Sequence, residues 1–340
     1  MKKIFFILLA ITSVIFTSCQ NHDWEFPDFE YSAVYFAYQS PVRTIVLGED
    51  VFDTSLDNEF KCQIMATMGG VYANNKDVVI GVRVDNSICD NLVFDDTQED
   101  VIPMPSNYYS LSSDKITIKK GDILGGVTVQ LTEAFFSDPK SLVTTYVIPV
   151  VMTEVVNADS ILSGKPQVAD PRRGVASDWD VQPKDYVLYA VKYINQYDAN
   201  YLRRGKDVIS GSQNGTKVRH TQYVEKNEVI DDITTRSLNA IAWQHQTRDM
   251  NNIPHNSTLL LTFDNQGNCT VTSETTGVTA SGTGKFVPKG DKNSWGNKDR
   301  DVLYLNYNVN YGDIQSATTD TLVVRDRGVM AEWFTPVLKD

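Results

Sequence analysis

The chain is poor in the residues that build most catalytic and metal centres. Its 340 residues include only four histidines and four cysteines. His220, His245 and His255 stand at no spacing that a zinc site uses, and His22 lies close to the N-terminus. There is no Gly-x-Ser-x-Gly elbow and no cysteine beside a histidine in a glycine-rich context, so the familiar settings for nucleophilic catalysis are missing. Gly282-Thr283-Gly284-Lys285 lacks the four-residue spacer of a phosphate-binding loop. Neither a metal nor a cofactor is expected. Basic residues are also scarce: 31 Lys and Arg face 43 Asp and Glu, a net charge of −12. Such an acidic surface argues against nucleic acid or anionic lipid as a partner, while neutral polymers, polysaccharides among them, remain compatible.

The leading apolar stretch is too short to span a membrane. Lys2 and Lys3 precede the apolar run from Ile4 to Ala10, which fades through Thr12 and Ser13 before Phe16. A spanning helix needs about 20 apolar residues, so this is a signal peptide over 1–18. Its end, Ile15-Phe16-Thr17-Ser18-Cys19, resembles the lipobox of bacterial lipoproteins. The resemblance implies lipidation at Cys19, which becomes the first residue after cleavage. Residues 19–30 then form a polar tether in which Asp23 and Glu25 resemble the export tag of Bacteroidetes surface lipoproteins. The expected location is the outer membrane, lipid-anchored, at the cell surface. The leader removes two lysines and no acid, so the remainder is two charges more negative than the whole. Beyond Cys19 only Cys62, Cys89 and Cys269 remain. They permit at most one disulfide, Cys62 with Cys89, or none if all three serve as small buried hydrophobes.

What the chain has in quantity is period-two alternation. Val78 to Val84 and Lys115 to Lys119 show it, bounded by Asn, Asp, Gly or Ser. With Ser32 to Tyr38, Val42 to Leu47, Phe60 to Met68, Val127 to Leu131 and Tyr146 to Met152, they make seven or eight short strands over 31–156. That number and spacing predict an immunoglobulin-like β-sandwich. The pattern lapses over 157–183, where Ser163-Gly164-Lys165-Pro166 and Asp170-Pro171-Arg172-Arg173-Gly174 mark a linker. A second β-rich module is expected over 184–340, opening with Tyr186 to Ile194 and ending near Met330 to Phe334. Hairpin signals such as Asp264-Asn265-Gln266-Gly267-Asn268 join its strands. It is either an antiparallel, lipocalin-like barrel or a second sandwich. The fold class is all-β.

Tyr109-Ser110-Leu111, Lys115 through Asp122, Val127-Thr128-Val129 and Tyr146 through Val150 together resemble the N-terminal β-sandwich module of a family of Bacteroidetes surface lipoproteins. Those proteins are often encoded beside glycan-uptake systems, and the module also precedes some glycoside hydrolases. Tyr189 through Asn195, Tyr201 through Gly205, Gly282 through Phe286 and Leu322 through Gly328 resemble a companion domain of unknown function. The resemblance implies a non-catalytic, surface-anchored protein that captures glycans, with an outer-membrane glycan-uptake complex as a possible partner. The alternatives are an adhesion or structural protein that binds another protein, and a cryptic glycoside hydrolase.

A hydrolase needs two carboxylates about 5 to 9 Å apart. Asp178 with Asp180, Asp231 with Asp232 and Asp299 with Asp301 are the nearest clusters, each equally at home in a solvated turn. The 264–268 loop offers oxygens for calcium but lacks the remaining ligands of an EF-hand, and a hairpin turn accounts for it. Sugar binding needs aromatic faces flanked by amides and carboxylates. Trp295, in a polar loop, and Trp243, between Ala242 and Gln244-His245-Gln246, are the candidate platforms, followed by Trp179 in the linker. Trp333 reads as core, and Tyr193, Tyr197 and Tyr201 read as packing.

Overall fold

The computed structural model of the chain describes residues 30–339. The expected signal peptide over 1–18, the expected lipidation at Cys19 and nearly all of the expected tether over 19–30 lie outside them. Among the described residues no helix is long and apolar enough to cross a membrane.

Two sheets enclose the N-terminal core. One runs in the order Ser160–Ile161, Ala33–Tyr35, Lys61–Gly69, Leu124–Leu131, Tyr109–Leu111. The other runs Glu332–Trp333, Pro41–Val46, Tyr186–Ile194, Tyr146–Val156, Val78–Val84, Lys115–Ile118. Alternation builds the first: along Leu124–Leu131, Gly125, Val127, Val129 and Leu131 face inward. Ile64, Val127 and Val129 there meet Ile45, Ile80, Ile116, Ile148 and Val191 of the second sheet, all at most 1% exposed. Each such side chain contributes roughly 1.5–3 kcal/mol through burial.

The second sheet departs from alternation in its centre. Tyr146 to Met152 and Tyr186 to Val191 are buried on both faces. The reason is a second cover layer, formed by residues 85–104 and the C-terminal tail, under which Leu92, Phe94, Val101, Val147, Val151 and Leu188 make a separate core.

Two expectations are corrected here. Tyr186–Ile194 does not open the second module; it pairs antiparallel with Tyr146–Val156 and parallel with Pro41–Val46 inside the sandwich. The segment Met330 to Phe334 does not close the second module either. Glu332–Trp333 pairs with Pro41–Val46, and Pro336–Leu338 pairs with Leu92–Phe94, so the chain ends on the N-terminal module. Cys62, Cys89 and Cys269 are all unpaired and buried, in three different hydrophobic clusters.

The C-terminal strands form one antiparallel sheet that curls into a barrel. Its order is Gly215–Arg219, Asn200–Gly211, Ile314–Asp326, Arg300–Asn310, Thr279–Asp291, Asn268–Ser273, Pro254–Phe263, Ala240–Arg248, Ile233–Ser237. The circle closes through Glu228–Ile230, which Asp231 and Asp232 separate from Ile233 and which pairs with Tyr201, Leu202 and Arg203. Closure stops there. Beyond Gln244, whose amide donates to the Asp232 carbonyl at 3.3 Å, Ala240–Arg248 pairs with Pro254–Phe263, and the facing edge is Gly215–Arg219. The barrel is thus zipped at one end and carries an open seam at the other.

A buried arginine joins the modules. Arg327 donates from Nε to the carbonyl of Asp198 (2.5 Å), from Nη2 to that of Asn195 (2.5 Å), and from Nη1 to those of Leu47 (3.1 Å) and Glu49 (3.4 Å). Gly48 of the same turn has φ +91° and a Cβ there would meet Gln196 at 2.8 Å, so this approach requires glycine.

Candidate functional site

The barrel interior has two layers. At the zipped end Tyr201, Ile241, Leu259, Leu261, Leu303, Leu305 and Leu322 pack as an ordinary apolar core. Toward the seam the inward positions turn polar: along Ile314–Asp326 they are Ser316, Thr318 and Asp320, each 1% exposed. Arg203 reaches Asp320 Oδ2 at 3.0 Å from Nε and 2.9 Å from Nη2. Arg219 donates to Asp320 Oδ1 at 2.7 Å and to Asp207 Oδ1 at 3.0 Å. Tyr307 donates its hydroxyl to Asp320 (2.8 Å) and lies 3.0 Å from His245 Nε2. Thr318 completes Asp207 at 2.8 Å.

The charges explain one another. Burial alone would raise the carboxyl of Asp320, but Arg203 and Arg219 more than offset it and hold the group below the usual carboxylate range. His245 is driven well below an ordinary histidine, first by burial and then by the charge of Arg203. It is neutral at pH 7. In the unfolded chain its imidazole takes up a proton near pH 6.5, and in the fold it does not. The unfolded state therefore binds more protons as pH falls, and stability is lost in that direction. His245→Gln is expected to remove up to about 2 kcal/mol of the stability difference between pH 6.5 and pH 5, at 1.36 kcal/mol per pH unit. Urea midpoints of both proteins at the two pH values measure it.

Two adjoining hollows, each about 470 Å³, open over this layer along the seam. They share Arg203, Glu228 and Gln246.

The candidate tryptophans separate. Trp243 lies in a strand, not a loop; it is 1% exposed, and the guanidinium of Arg203 covers its face at 4.9 Å. It lines a hollow but offers no free face. Trp295 is half-buried on the outside of the barrel, against Leu202, Val302 and Val323, and lines neither hollow. The stretch 157–183, expected to link the modules, lies within the N-terminal one, where Ser160–Ile161 pairs with Ala33–Tyr35; Trp179 sits in a hairpin there and donates Nε1–H to the carbonyl of Arg172. Trp333, expected in the core, is 56% exposed. Its ring lies 5.7 Å from that of Tyr38, itself 60% exposed, at the edge of a hollow of about 710 Å³ on the N-terminal module. Asp96, Glu99, Asp100, Thr97, Thr144 and Thr145 line that hollow with the ring. The signal in the sequence was the charged Glu332 before Trp333, too weak to tell an edge from a core.

The sequence's paired carboxylates are engaged singly. Asp178 accepts from Arg172, Asp180 from Lys165, Asp299 from Lys292, and Asp301 from the Lys289 amide. Asp231 and Asp232 line the seam, where burial raises Asp232. Asp264 accepts the Gln266 and Asn268 amides, as a hairpin turn requires.

Fold and hollows define a class: a two-module all-β protein, a sandwich followed by a seamed barrel with an ionic upper core. The chain belongs to the family of a Bacteroides ovatus protein of unknown function, whose crystal structure it matches at 47% identity and TM-score 0.86, over 92% of this chain and 100% of that one. Residues 196–328 match the Domain of unknown function (DUF5627), and 29–159 match a model described as an N-terminal domain. Two further B. ovatus structures align at 13% and 14% identity with TM-scores of 0.39 and 0.28, over 89% and 91% of this chain and all of theirs. The first is of unknown function and the second is provisionally described as a carbohydrate binding protein. At those scores neither carries an argument for this chain. No curated protein matches it.

Proposed function

We propose that the protein is a non-catalytic, surface-anchored glycan-binding lipoprotein whose sandwich module carries a neutral-sugar platform at Trp333. The observation that supports it is the exposed Trp333 ring at the rim of the largest of these hollows. An indole face stacks on pyranose C–H groups, while Thr97, Thr144 and Thr145 and the carboxylates of Asp96, Glu99 and Asp100 are placed to hydrogen-bond hydroxyls. The acids Asp96, Glu99, Asp100 and Glu332 outnumber Lys140 and Lys192 along the hollow and favour an uncharged polymer. In the barrel Asp207 and Asp320 are held by arginines, an arrangement suited to structure and not to proton transfer. Affinity electrophoresis over a panel of neutral polysaccharides tests the reading. Retardation of the wild type is expected on at least one, with loss of it in Trp333→Ala; a panel without retardation would sink the proposal.

A further inference from the structure

Lys217 and Arg248 stand on the two facing edges of the barrel seam and converge on one residue. Lys217 donates to Asn252 Oδ1 (3.1 Å) and Arg248 to the Asn252 carbonyl (3.3 Å). Neither is paired with a carboxylate among the described residues. Arg219 and Arg203 line the same hollow, against the acids Asp207 and Glu228. Arg203 and Arg219 are offset by Asp207, Asp320 and Glu228, so the unpaired positive charge at this hollow is that of Lys217 and Arg248, on a chain of charge −12. The adjoining hollow is the reverse: Glu228, Asp231 and Asp232 line it with the amides of Gln244, Gln246 and Asn256.

We propose that the seam binds an anionic sugar, with a carboxylate or sulfate ester seated between Lys217 and Arg248 and the hydroxyls of the same or the next ring held in the adjoining amide and carboxylate hollow. The two hollows have different chemistry and share Arg203, Glu228 and Gln246, which matches a ligand that is an oxyanion at one end and a polyol at the other. Each volume falls within the range of small-ligand pockets, ~300–1,000 Å³. The acidic body does not forbid an anion: at physiological salt, charges more than about 8 Å away are largely screened, and the nearest cations decide. Arg248 supplies the planar fork that suits a carboxylate or sulfate, and Lys217 a compact charge beside it. The site rests on the glycan reading only in taking the polyol to be sugar, and it is independent of Trp333.

The test is calorimetric titration of the full chain without its leader, using trigalacturonate, a chondroitin sulfate tetrasaccharide, maltotriose and inorganic sulfate. Binding of the first or the second is expected, and which of them binds separates carboxylate from sulfate recognition. Lys217→Gln/Arg248→Gln, both at the solvent-facing rim, should weaken it at least tenfold; Trp333→Ala should leave it unchanged, and added salt should weaken it. Three results would each overturn the site: neither acidic sugar binding, affinity unchanged in the double variant, or inorganic sulfate binding as tightly as the sugar. Any of these with Trp333-dependent retention intact leaves the neutral-sugar platform standing.

Discussion

Asp320→Ala is expected to cost about 3–5 kcal/mol of stability, because it strips the shared counter-ion from two arginines inside a barrel. Asp320 is 1% exposed and Arg203 4%, so water cannot replace the lost carboxylate without opening the seam. Arg203 would keep only Glu228, at 3.7 Å, and Arg219 would keep Asp207. The Tyr307 hydroxyl would lose its acceptor as well. Removing both charges together should be cheaper: Arg203→Met/Asp320→Leu is expected to cost less than the sum of the single substitutions, with an interaction of about 1–3 kcal/mol. Urea unfolding of the four proteins in the cycle measures it. Additive costs would mean that the arginines do not depend on Asp320.

Arg327→Ala is the second large effect, and it acts between modules. The side chain satisfies four carbonyls, two on the sandwich turn at Leu47 and Glu49 and two at Asn195 and Asp198, where the chain passes into the barrel. Hydrogen bonds from a charged donor contribute roughly 1.5–3 kcal/mol each, and buried acceptors left empty carry a further cost. A loss of about 3 kcal/mol or more is expected, with unfolding changing from one transition to two as the modules uncouple. Arg327→Lys should rescue little, because an ammonium cannot reproduce a planar fork directed at several carbonyls. Calorimetric scans of wild type and both variants report the number of transitions. The tail that pairs with Pro41–Val46 still tethers the modules in these variants, so uncoupling can be seen without separation.

The all-β class and most strands were legible because alternation survives wherever one face meets a core. Leu124–Leu131 and Lys115–Ile118 are such strands. Module membership was less legible. Tyr186–Ile194 has the composition of a strand buried on both faces, but nothing local says which sheet will flank it; that depends on pairing with Pro41–Val46, more than 140 residues earlier. The ionic layer was invisible for a related reason. Between Ile314 and Leu322 the inward positions of this strand are Ser316, Thr318 and Asp320, so the hydrophobic period disappears where the interior turns polar. The resemblance drew on Tyr201 to Gly205 and Leu322 to Gly328, and these carry Arg203 and Arg327, yet a run of residues does not reveal that one arginine pairs inside a barrel and the other bridges two modules. Trp243 and Trp333 exchanged the environments expected of them. Trp243 is followed by polar residues that alternate outward along its strand, and Trp333 is placed on an edge by a C-terminal tail that folds back.

The glycan reading rests on Trp333, and calorimetric titration of the best-retained neutral oligosaccharide into wild type and Trp333→Ala tests it most directly. Truncating a stacking platform is expected to weaken affinity at least about tenfold, equivalent to 1.4 kcal/mol, with the melting temperature unchanged because the ring is largely in solvent. Equal affinity in the two proteins would contradict it.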